Sequence, residues 1–467
     1  MELWKLDATD LARMIRLGQV SAREVTESTL ARMHAVNPTL NAVVRPLDEE
    51  ALATADRLDQ ARSRGEIVGP LHGVPVTTKV NVDQAGHPND NGVPALKDNI
   101  AAEDSPVVAN LKQAGAVIVG RTNTPSFSMR IFTDNALHGK TWNPLDRAIS
   151  PGGSSGGAGA SVASGIGAIA HGNDIAGSVR APAYCCGVVG LRVSLGRIAA
   201  YNPSALVARP LGAQLMAVQG PLTRTVRDSR LAFAAMSAAD RSDTRWVDAP
   251  LVGPAPPRPI KVALVPELPG GFTHPAQAEA VRRAGRHLQR AGYAVEEVMP
   301  PDIETIIDTW HKIGVTDVLG ALWPRVREHA DDKTRGSMTA WMTQFPPTDL
   351  AGYMAALGQR DLSLQHWLTF LESWPLVVMP TLADLPPPQD QDTTPAGKAK
   401  VLESLRACLI APVLGIPALQ VPVGRHGNLR TGVQIKASRF REDLCLDAGE
   451  VIEAAEGIVG PVDPVAA

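Results

Sequence analysis

The sequence predicts an α/β fold built on a mainly parallel or mixed sheet. Three observations support this prediction. Short apolar runs alternate with helical stretches from about residue 70 to residue 240. The tail, residues 401–467, follows the order helix, strand, strand, helix. The composition, 44% hydrophobic and 20% charged over 467 residues, is typical of a globular protein and excludes wholesale disorder.

The first 65 residues are predicted to form a helical cover over the main domain. Ser21 and Glu24 have the spacing of a capping box, so a helix is expected from there to about residue 36, ending at Asn37-Pro38. A second helix is expected over residues 47–64, where apolar residues recur at helical spacing.

The main domain contains further runs of strand or helix character. Strands are expected at residues 74–78, 116–120, 260–265 and 293–298, and helices at 105–114 and 276–291. Prolines punctuate a predicted loop over residues 241–260. Residues 300–380 are predicted to be mostly helical and hold five of the eight tryptophans. The Pro-, Asp- and Gln-rich residues 384–400 are predicted to be a loop.

The charge balance narrows the class of partner. Lys and Arg number 45 against 48 Asp and Glu, so no polybasic face is expected for nucleic acid or an anionic membrane. The four cysteines form no C-x-x-C pair and are expected to be reduced thiols of a cytoplasmic protein. No signal-peptide pattern or membrane span is evident. No spaced Cys and His cluster predicts a metal site, and no cofactor is expected.

Residues 151–200 hold 12 of the 41 glycines, and chemistry is expected in this block. Glycine at this density permits close backbone approach, and the interleaved Val, Ile and Ala residues argue against a linker. A P-loop fails because Asp134 stands where the first glycine is required, and no complete G-x-G-x-x-G is present. Residues 152–156 satisfy G-x-S-x-G, but a turn-like segment precedes them. A nucleophile elbow at Ser154 therefore stays the weaker alternative.

A serine nucleophile needs a base, and Lys79 is the candidate. The 11 histidines show no pattern that pairs one of them with a serine. A neutral lysine can accept a proton, and burial lowers its ordinary pKa of about 10.4 by up to about 3–5 units. Lys79 follows the apolar run of residues 74–78. A solvent-facing lysine is the alternative interpretation of a position at a strand end.

The joint pattern of several segments resembles the amidase signature family. The segments are residues 69–81 (GPLHGVPVTTKVN), 151–157 (PGGSSGG), 174–191 (DIAGSVRAPAYCCGVVGL), 220–228 (GPLTRTVRD), 415–424 and 432–434. The similarity is strong over about 65–230 and moderate over 400–455, whereas 240–390 is generic. The resemblance implies a central mixed β-sheet flanked by helices on both faces.

The resemblance also implies one domain over residues 1–467. Its parts would be the helical cover (1–65), the catalytic core (66–240), a variable helical excursion on the substrate side (300–400) and a return to the core (401–467).

A Ser–Ser–Lys triad is implied by the same resemblance. Its lysine matches Lys79, its bridging serine matches Ser154, and its nucleophile matches Ser178. A cis peptide bond between Gly153 and Ser154 is implied as well. The resemblance also implies a loop whose backbone N–H groups stabilise the oxyanion of the transition state. The N–H groups are those of Ile175, Ala176, Gly177 and Ser178.

Asp174 and Arg180 flank this loop and are expected to form an ion pair that braces it. Substrate binding by Arg180 is the alternative. The chain departs from the family pattern within the loop region, where Asn173 replaces a threonine and Ala176 replaces a glycine. Strain is expected at Ala176 because an L-residue is disfavoured at positive φ. Ser126 stands where an acidic residue is common in the family.

Specificity is expected outside the shared core. The tryptophans of the helical excursion either pin helices to the core or line an apolar or aromatic pocket. The candidates for substrate contact are Met129, Ile131, Phe132, Ser155, Trp310 and Trp341.

The predicted function is hydrolysis of a small-molecule carboxamide or anilide with an apolar or aromatic part. A serine acyl-enzyme would give a carboxylic acid and ammonia or an amine. One alternative is the glutamine-hydrolysing component of a tRNA-dependent amidotransferase, although its pattern continues Arg-Gln-Pro where this chain has Arg180-Ala181-Pro182. A catalytically inactive binding protein on the same fold is the other. A homodimer is the oligomeric state that the resemblance implies.

Overall fold

The computed structural model describes residues 2–205 and 207–465. Eleven strands in these ranges form a single sheet. They are β1 (Val43–Pro46), β2 (Pro75–Lys79), β3 (Val117–Thr122), β4 (Ile169–Asp174), β5 (Val189–Arg192), β6 (Val218–Thr223), β7 (Lys261–Leu264), β8 (Ala294–Glu297), β9 (Leu376–Pro380), β10 (Ala418–His426) and β11 (Leu429–Ala437).

Fifteen α-helices accompany the sheet in the same ranges. They are α1 (Ala8–Arg16), α2 (Ala22–Leu40), α3 (Asp48–Ser63), α4 (Pro106–Gln113), α5 (Gly156–Ala163), α6 (Arg180–Cys186), α7 (Leu211–Met216), α8 (Val226–Met236), α9 (Pro275–Arg290), α10 (Ile303–Ile313), α11 (Gly320–His329), α12 (Asp332–Gln344), α13 (Leu350–Ser373), α14 (Pro395–Leu414) and α15 (Glu442–Glu456). A π-helix, Gly314–Leu319, joins α10 to α11. Short 3₁₀ helices lie at Leu3–Lys5, Pro94–Leu96, Ser126–Ser128 and Gln391–Thr393.

The sheet is mixed, as the resemblance implies. Its strand order is β1-β3-β2-β4-β6-β5-β10-β11-β9-β7-β8. Strands β3, β2 and β4 run parallel to one another, as do β9, β7 and β8, whereas the other neighbours are antiparallel. Because β2 and β4 are parallel neighbours, their carboxyl ends lie side by side at one edge of the sheet.

Both faces of the sheet are buried. Along β9, Leu376 and Val378 belong to one apolar cluster, while Val377 and Met379 belong to another. Successive side chains of a strand point to opposite faces, so helices must cover the sheet on each side. The predicted α/β class, with helices on both faces, is confirmed.

The predicted strands and helices of the core are confirmed with shifts of a few residues at their ends. One prediction, the end of the first long helix at Asn37-Pro38, is wrong, because α2 continues to Leu40. A proline removes only one helical N–H when it lies in the last turn. The Asn37 side chain accepts a hydrogen bond from the N–H of Val43 at 2.9 Å. Asn41 then ends the helix at a φ of 51°.

The loop predicted over residues 384–400 is also wrong in its second half. Helix α14 begins at Pro395, where a proline is favoured, and Thr394 Oγ1 accepts the N–H of Gly397 at 3.1 Å as a helix cap. Before the helix, Asp392 pairs with Arg130 at 2.6 Å. The Pro- and Asp-rich composition indicated a loop, whereas a cap and a buried ion pair order the segment.

Two features are absent from residues 2–205 and 207–465. No helix there is long and apolar enough to cross a bilayer. Within the same ranges, no three His, Cys, Asp or Glu side chains are grouped so that they could hold a metal ion.

Candidate active site

Lys79 is the last residue of β2 and is fully buried. The strand is flanked by β3 and β4, and all five of its residues are buried, which carries the lysine into the interior. Its Nζ donates hydrogen bonds to Ser154 Oγ at 2.7 Å and to Asn173 Oδ1 at 2.8 Å. The structure therefore places the predicted base against the predicted bridging serine rather than in solvent.

Burial holds the pKa of Lys79 well below its ordinary value, and the negative charge of Asp174 opposes this shift. A buried ammonium group is disfavoured because it loses its hydration. The imidazole of His171 lies beside the lysine backbone, where its Nδ1 accepts the N–H of Lys79 at 3.4 Å. Burial lowers the pKa of His171 to about 4, so this neighbour is neutral near pH 7. The environment favours a neutral amine at Lys79 that can take up a proton.

Ser154 lies in a tight loop before α5. The peptide bond between Gly153 and Ser154 is cis, as the resemblance implies. Gly152 has a φ of 78°, and a Cβ at that position would lie 2.6 Å from Pro182 Cα. The Ser154 carbonyl accepts a hydrogen bond from Thr124 Oγ1 at 2.9 Å. The glycines thus permit the loop to pack directly against α6, and Thr124 holds its turn.

Ser178 lies in the turn between β4 and α6, and Asp174 and Arg180 brace this turn. The Arg180 guanidinium donates to both carboxylate oxygens of Asp174 at 2.9 Å, and both side chains are buried. Arg180 also donates to Gln434 Oε1 at 2.7 Å. Burial alone would raise the pKa of Asp174, but the facing guanidinium of Arg180 keeps it well below its ordinary value. A paired, fully buried Arg180 fits bracing better than substrate binding.

The backbone of the turn corrects two expectations about the oxyanion hole. The Gly177 N–H donates to Asp174 Oδ1 at 2.9 Å, so it is not available to a substrate in this structure. In the described ranges the N–H groups of Ile175, Ala176 and Ser178 have no hydrogen-bond acceptor. The expected strain at Ala176 is absent, because the positive φ, 104°, falls on Gly177. A Cβ on Gly177 would also lie 2.9 Å from Cβ and Sγ of Cys408.

The loop that carries Ser154 and the turn that carries Ser178 are linked through the backbone. The Ser155 N–H donates to the Ser178 carbonyl at 3.3 Å. Among the described residues, no hydrogen bond joins the Ser178 hydroxyl to Ser154. The Ser155 hydroxyl is buried and has no partner within the described ranges, so its expected substrate contact stays a prediction.

The residues predicted to contact substrate fall into two groups. Met129 and Ile131 are partly buried, and Met129 packs on the apolar cluster that contains Ala176. Phe132, Trp310 and Trp341 are at most 7% exposed and pack within the core. The burial favours the alternative stated for the tryptophans, in which they pin helices to the core.

The sequence did not predict three hydrogen bonds at the site. Asn173 accepts from Lys79, and its Nδ2 donates to Asn81 Oδ1 at 2.9 Å. Trp310 Nε1 donates to the Ile175 carbonyl at 2.9 Å. Asn81 and Asn173 lie at the carboxyl ends of parallel neighbouring strands, and that placement could have indicated their proximity. No local signal indicates the contact of Trp310, which lies 135 residues away from Ile175 in the chain.

An acidic group lies beside Ser126 after all, but it comes from another element. Asp331 Oδ2 accepts a hydrogen bond from the Ser126 hydroxyl. The same aspartate caps α12 by accepting the Thr334 N–H at 2.8 Å. A carboxylate therefore lies beside position 126, although it comes from Asp331 and not from the motif itself.

The chain matches the Amidase family over residues 24–446, so it belongs to that family. It is 46% identical to an indoleacetamide hydrolase of Bradyrhizobium diazoefficiens over 98% of this chain and 88% of the relative. It is 33% identical to an acylamidase of Rhodococcus erythropolis over 96% and 95% of the two chains. A solved 6-aminohexanoate cyclic dimer hydrolase in complex with substrate superposes with a TM-score of 0.85 at 27% identity, covering 98% of each chain.

The chain is therefore an amidohydrolase that cleaves amide C–N bonds. The amidotransferase alternative has less support. Identity to a glutamyl-tRNA(Gln) amidotransferase component of Moorella thermoacetica is 31%, over 97% of each chain. That value lies well below the 46% found for the indoleacetamide hydrolase.

Proposed function

We propose that this amidase hydrolyses a primary amide of an arylacetic acid, with indole-3-acetamide as the representative substrate, to the acid and ammonia. The similarity to an indoleacetamide hydrolase over 98% of this chain supports the substrate class. The observation that carries the mechanism is the 2.7 Å hydrogen bond between the buried Lys79 Nζ and Ser154 Oγ.

In the proposed reaction Ser178 Oγ attacks the amide carbonyl carbon. Its proton passes to Ser154 Oγ while the Ser154 hydroxyl proton passes to neutral Lys79 Nζ. The lysinium then returns a proton through Ser154 to the amide nitrogen, the C–N bond breaks, and ammonia leaves. Water adds to the acyl group on Ser178 by the same proton route and releases the acid.

The backbone N–H groups of Ile175, Ala176 and Ser178 are proposed to bind the oxyanion. They are the loop donors that no protein acceptor in the described ranges occupies. An oxyanion donor is worth about 10²–10³ in kcat. Gly177 is excluded from this role because its N–H is bonded to Asp174.

The aryl group is proposed to contact Met129 and Ile131. These side chains remain partly open, whereas the other apolar candidates are packed in the core. A flexible thioether and a branched alkyl group suit a flat apolar ring, because they adapt to its surface without hydrogen-bond demands.

A fluorophosphonate identifies the nucleophile, since it phosphonylates an activated serine. Intact mass and peptide mapping are expected to place a single adduct on Ser178. Labelling is expected to be lost in Lys79→Ala. The matched control is Lys398→Met, because Lys398 is also a buried lysine that donates to a serine, Ser337 Oγ at 2.9 Å, and is bonded to neither Ser154 nor Ser178. An adduct on Ser154 would overturn the assigned roles, and so would labelling that survives in Lys79→Ala.

Substrate class is tested by ammonia release. Indole-3-acetamide is expected to be hydrolysed at least tenfold more efficiently, in kcat/KM, than either glutamine or the anilide of the same acid. Faster turnover of glutamine would revive the amidotransferase alternative, and faster turnover of the anilide would move the proposal to aryl acylamides.

Two further predictions concern the oligomeric state and the cellular location of the protein. A homodimer is expected, and sedimentation of the purified protein at micromolar concentration tests it. A cytoplasmic location is expected, and fractionation of the source cells tests it.

A further inference from the structure

The turn that carries Ser178 is held by a side chain from the variable helical region. Trp310 lies on α10, and its Nε1 donates to the Ile175 carbonyl at 2.9 Å. The indole is 3% exposed, so the donor side of the hydrogen bond is buried, whereas Ile175 is partly buried. A hydrogen bond from a buried N–H group to a carbonyl oxygen fixes the direction of its acceptor.

The direction of the Ile175 carbonyl sets the direction of the Ala176 N–H. The peptide bond between Ile175 and Ala176 is trans, so its C=O and N–H point in opposite directions within one plane. A donor that holds the Ile175 carbonyl on the side of α10 therefore aims the Ala176 N–H away from α10. This N–H is one of the three without an acceptor in the described ranges.

The neighbouring peptide groups of the turn are held from the core instead. The Gly177 carbonyl accepts the Ala181 N–H at 2.6 Å, and the Ser178 carbonyl accepts the Ser155 N–H at 3.3 Å. The Gly177 N–H is held by Asp174. The peptide group between Ile175 and Ala176 is instead held by the hydrogen bond from Trp310, which lies outside the segments that carry the family motifs.

Trp310 is itself firmly placed. Its ring stacks on Trp341 with a centroid separation of 5.3 Å and an interplanar angle of 15°. Trp341 Nε1 donates to His311 Nδ1 at 3.3 Å, and burial lowers the pKa of His311 to about 4, which keeps that nitrogen an acceptor. Phe345 stacks on His311 with a centroid separation of 3.6 Å. The indole has no room to turn its N–H elsewhere without disrupting this stack.

We propose that Trp310 is a positioning residue that orients the Ala176 N–H toward the oxyanion through its hydrogen bond to the Ile175 carbonyl. The proposal rests on the proposed function, because it assigns part of the oxyanion hole of that reaction. It also revises the expectation that Trp310 touches the substrate. The variable helical region then contributes to the rate of the chemical step as well as to specificity.

The test removes the indole N–H and keeps an aromatic ring. Trp310→Phe is compared with Trp367→Phe, a matched control, since Trp367 is fully buried and donates from Nε1 to the Pro301 carbonyl at 2.8 Å. Each enzyme is titrated with fluorophosphonate so that kcat is expressed per active site. Because one oxyanion donor is worth about 10²–10³, misdirecting it in Trp310→Phe is expected to lower kcat by about 10- to 100-fold. KM is expected to stay within threefold, and Trp367→Phe within twofold of wild type in kcat.

The outcomes separate the proposal from a structural role and from the proposed function. Equal kcat per titrated site in the two variants would overturn it, and so would a raised KM with unchanged kcat, which indicates substrate contact. If Trp310→Phe does not fold, benzothienylalanine at position 310 replaces the N–H by sulfur with little change in shape, and the same two criteria apply. Failure of the proposed function is distinguishable, because it is seen in the wild-type enzyme itself, which would then not label at Ser178 or would turn over glutamine or the anilide faster than indole-3-acetamide.

Discussion

Lys79 donates hydrogen bonds to two oxygen atoms that differ in their own donor capacity. Ser154 Oγ is a hydroxyl that can also donate a hydrogen bond, whereas Asn173 Oδ1 is an amide oxygen that can only accept one. The Asn173 amide is held in turn by its Nδ2, which donates to Asn81 Oδ1. One N–H of the amine is therefore directed at Asn173. When the amine is neutral, its lone pair is left to face the Ser154 hydroxyl.

The first prediction concerns the charge beside Lys79. Asn173→Asp replaces a neutral acceptor 2.8 Å from Nζ with a carboxylate. An opposite charge at such range raises the pKa of a lysine by about 1–3 units. Because the reaction needs neutral Lys79, the acid limb of the pH profile of kcat/KM is expected to move to higher pH by that amount.

The control for this prediction is Asn173→Thr, which keeps the position neutral and should leave the limb within about half a pH unit of wild type. The groups that already face Lys79 are the Asp174 carboxylate, the neutral His171 imidazole and Arg121, which donates to the Lys79 carbonyl. None of these changes in either variant. An acid limb that stays in place in Asn173→Asp would show that another group titrates.

The second prediction concerns which residue of the turn must be a glycine. Gly177→Ala forces a side chain into a φ of 104° and against Cys408, so kcat is expected to fall by at least about 100-fold, as for a lost oxyanion donor. Ala176→Gly introduces no such conflict and is expected to keep kcat within threefold. Steady-state kinetics on the two variants decide the matter. The reverse order of effects would restore the strain first expected at Ala176.

At this scale the sequence predicted residue types better than their contacts. Lys79 and Ser154 were found from the motif, and the structure brings their side chains together. The shift of the positive φ from Ala176 to Gly177 could not be foreseen, because it depends on how Asp174 holds the turn. The donor on Trp310 depends on the path of α10, which no local pattern encodes.

Among elements, a buried ion pair ties the turn after β3 to the approach to α14. Arg130 and Asp392 are both fully buried and lie 2.6 Å apart. Asp392 also accepts a hydrogen bond from Ser337 on α12 at 2.7 Å. One carboxylate thus joins three elements around Met129 and Ile131, the residues proposed to contact substrate.

The third prediction follows from this pair. Asp392→Asn leaves the buried Arg130 guanidinium with only the more distant and partly exposed Asp390 carboxylate at 3.4 Å, so the free energy of unfolding is expected to fall by up to about 3–5 kcal/mol. Asp308→Asn is the control, because Asp308 pairs with Lys312 on an exposed face and such pairs contribute only about 0.3–0.5 kcal/mol. Urea unfolding of both variants measures the difference. Similar losses in the two would mean that Asp392 is not essential to this junction.

Local patterns predicted elements well where burial and propensity agree. The capping box at Ser21 and Glu24 forms as expected. The patterns failed where tertiary contacts decide, as for the helix that passes Pro38 and for residues 395–400, which belong to α14. The Asn37-Pro38 dipeptide indicates a helix end in the first place, and composition indicates a loop in the second. The Asn37 side chain instead accepts the Val43 N–H beyond the longer helix, and the Thr394 side chain caps the start of α14.

Across the whole molecule, distant parts of the chain build one sheet. Strand β5 pairs with β10, which lies more than 220 residues further along the chain. Helix α14 places Cys408 against Gly177 of the catalytic turn. The tail therefore supplies a strand neighbour to β5 and a helix neighbour to the turn that carries Ser178, both within the predicted core of residues 66–240. Such interleaving favours the single domain predicted from the sequence.

The fourth prediction tests that domain organisation. If residues 1–467 form one domain, thermal unfolding is expected to be a single transition whose calorimetric and van't Hoff enthalpies agree. Limited proteolysis within residues 241–259, a loop in the structure, should yield halves that stay associated and do not refold apart, because β10 completes the sheet beside β5. Two resolved transitions, or a fragment ending near residue 240 that folds alone, would instead divide the chain into two units. Asp392→Asn should then lower only one of the two transition temperatures, whereas in a single domain it lowers the whole transition.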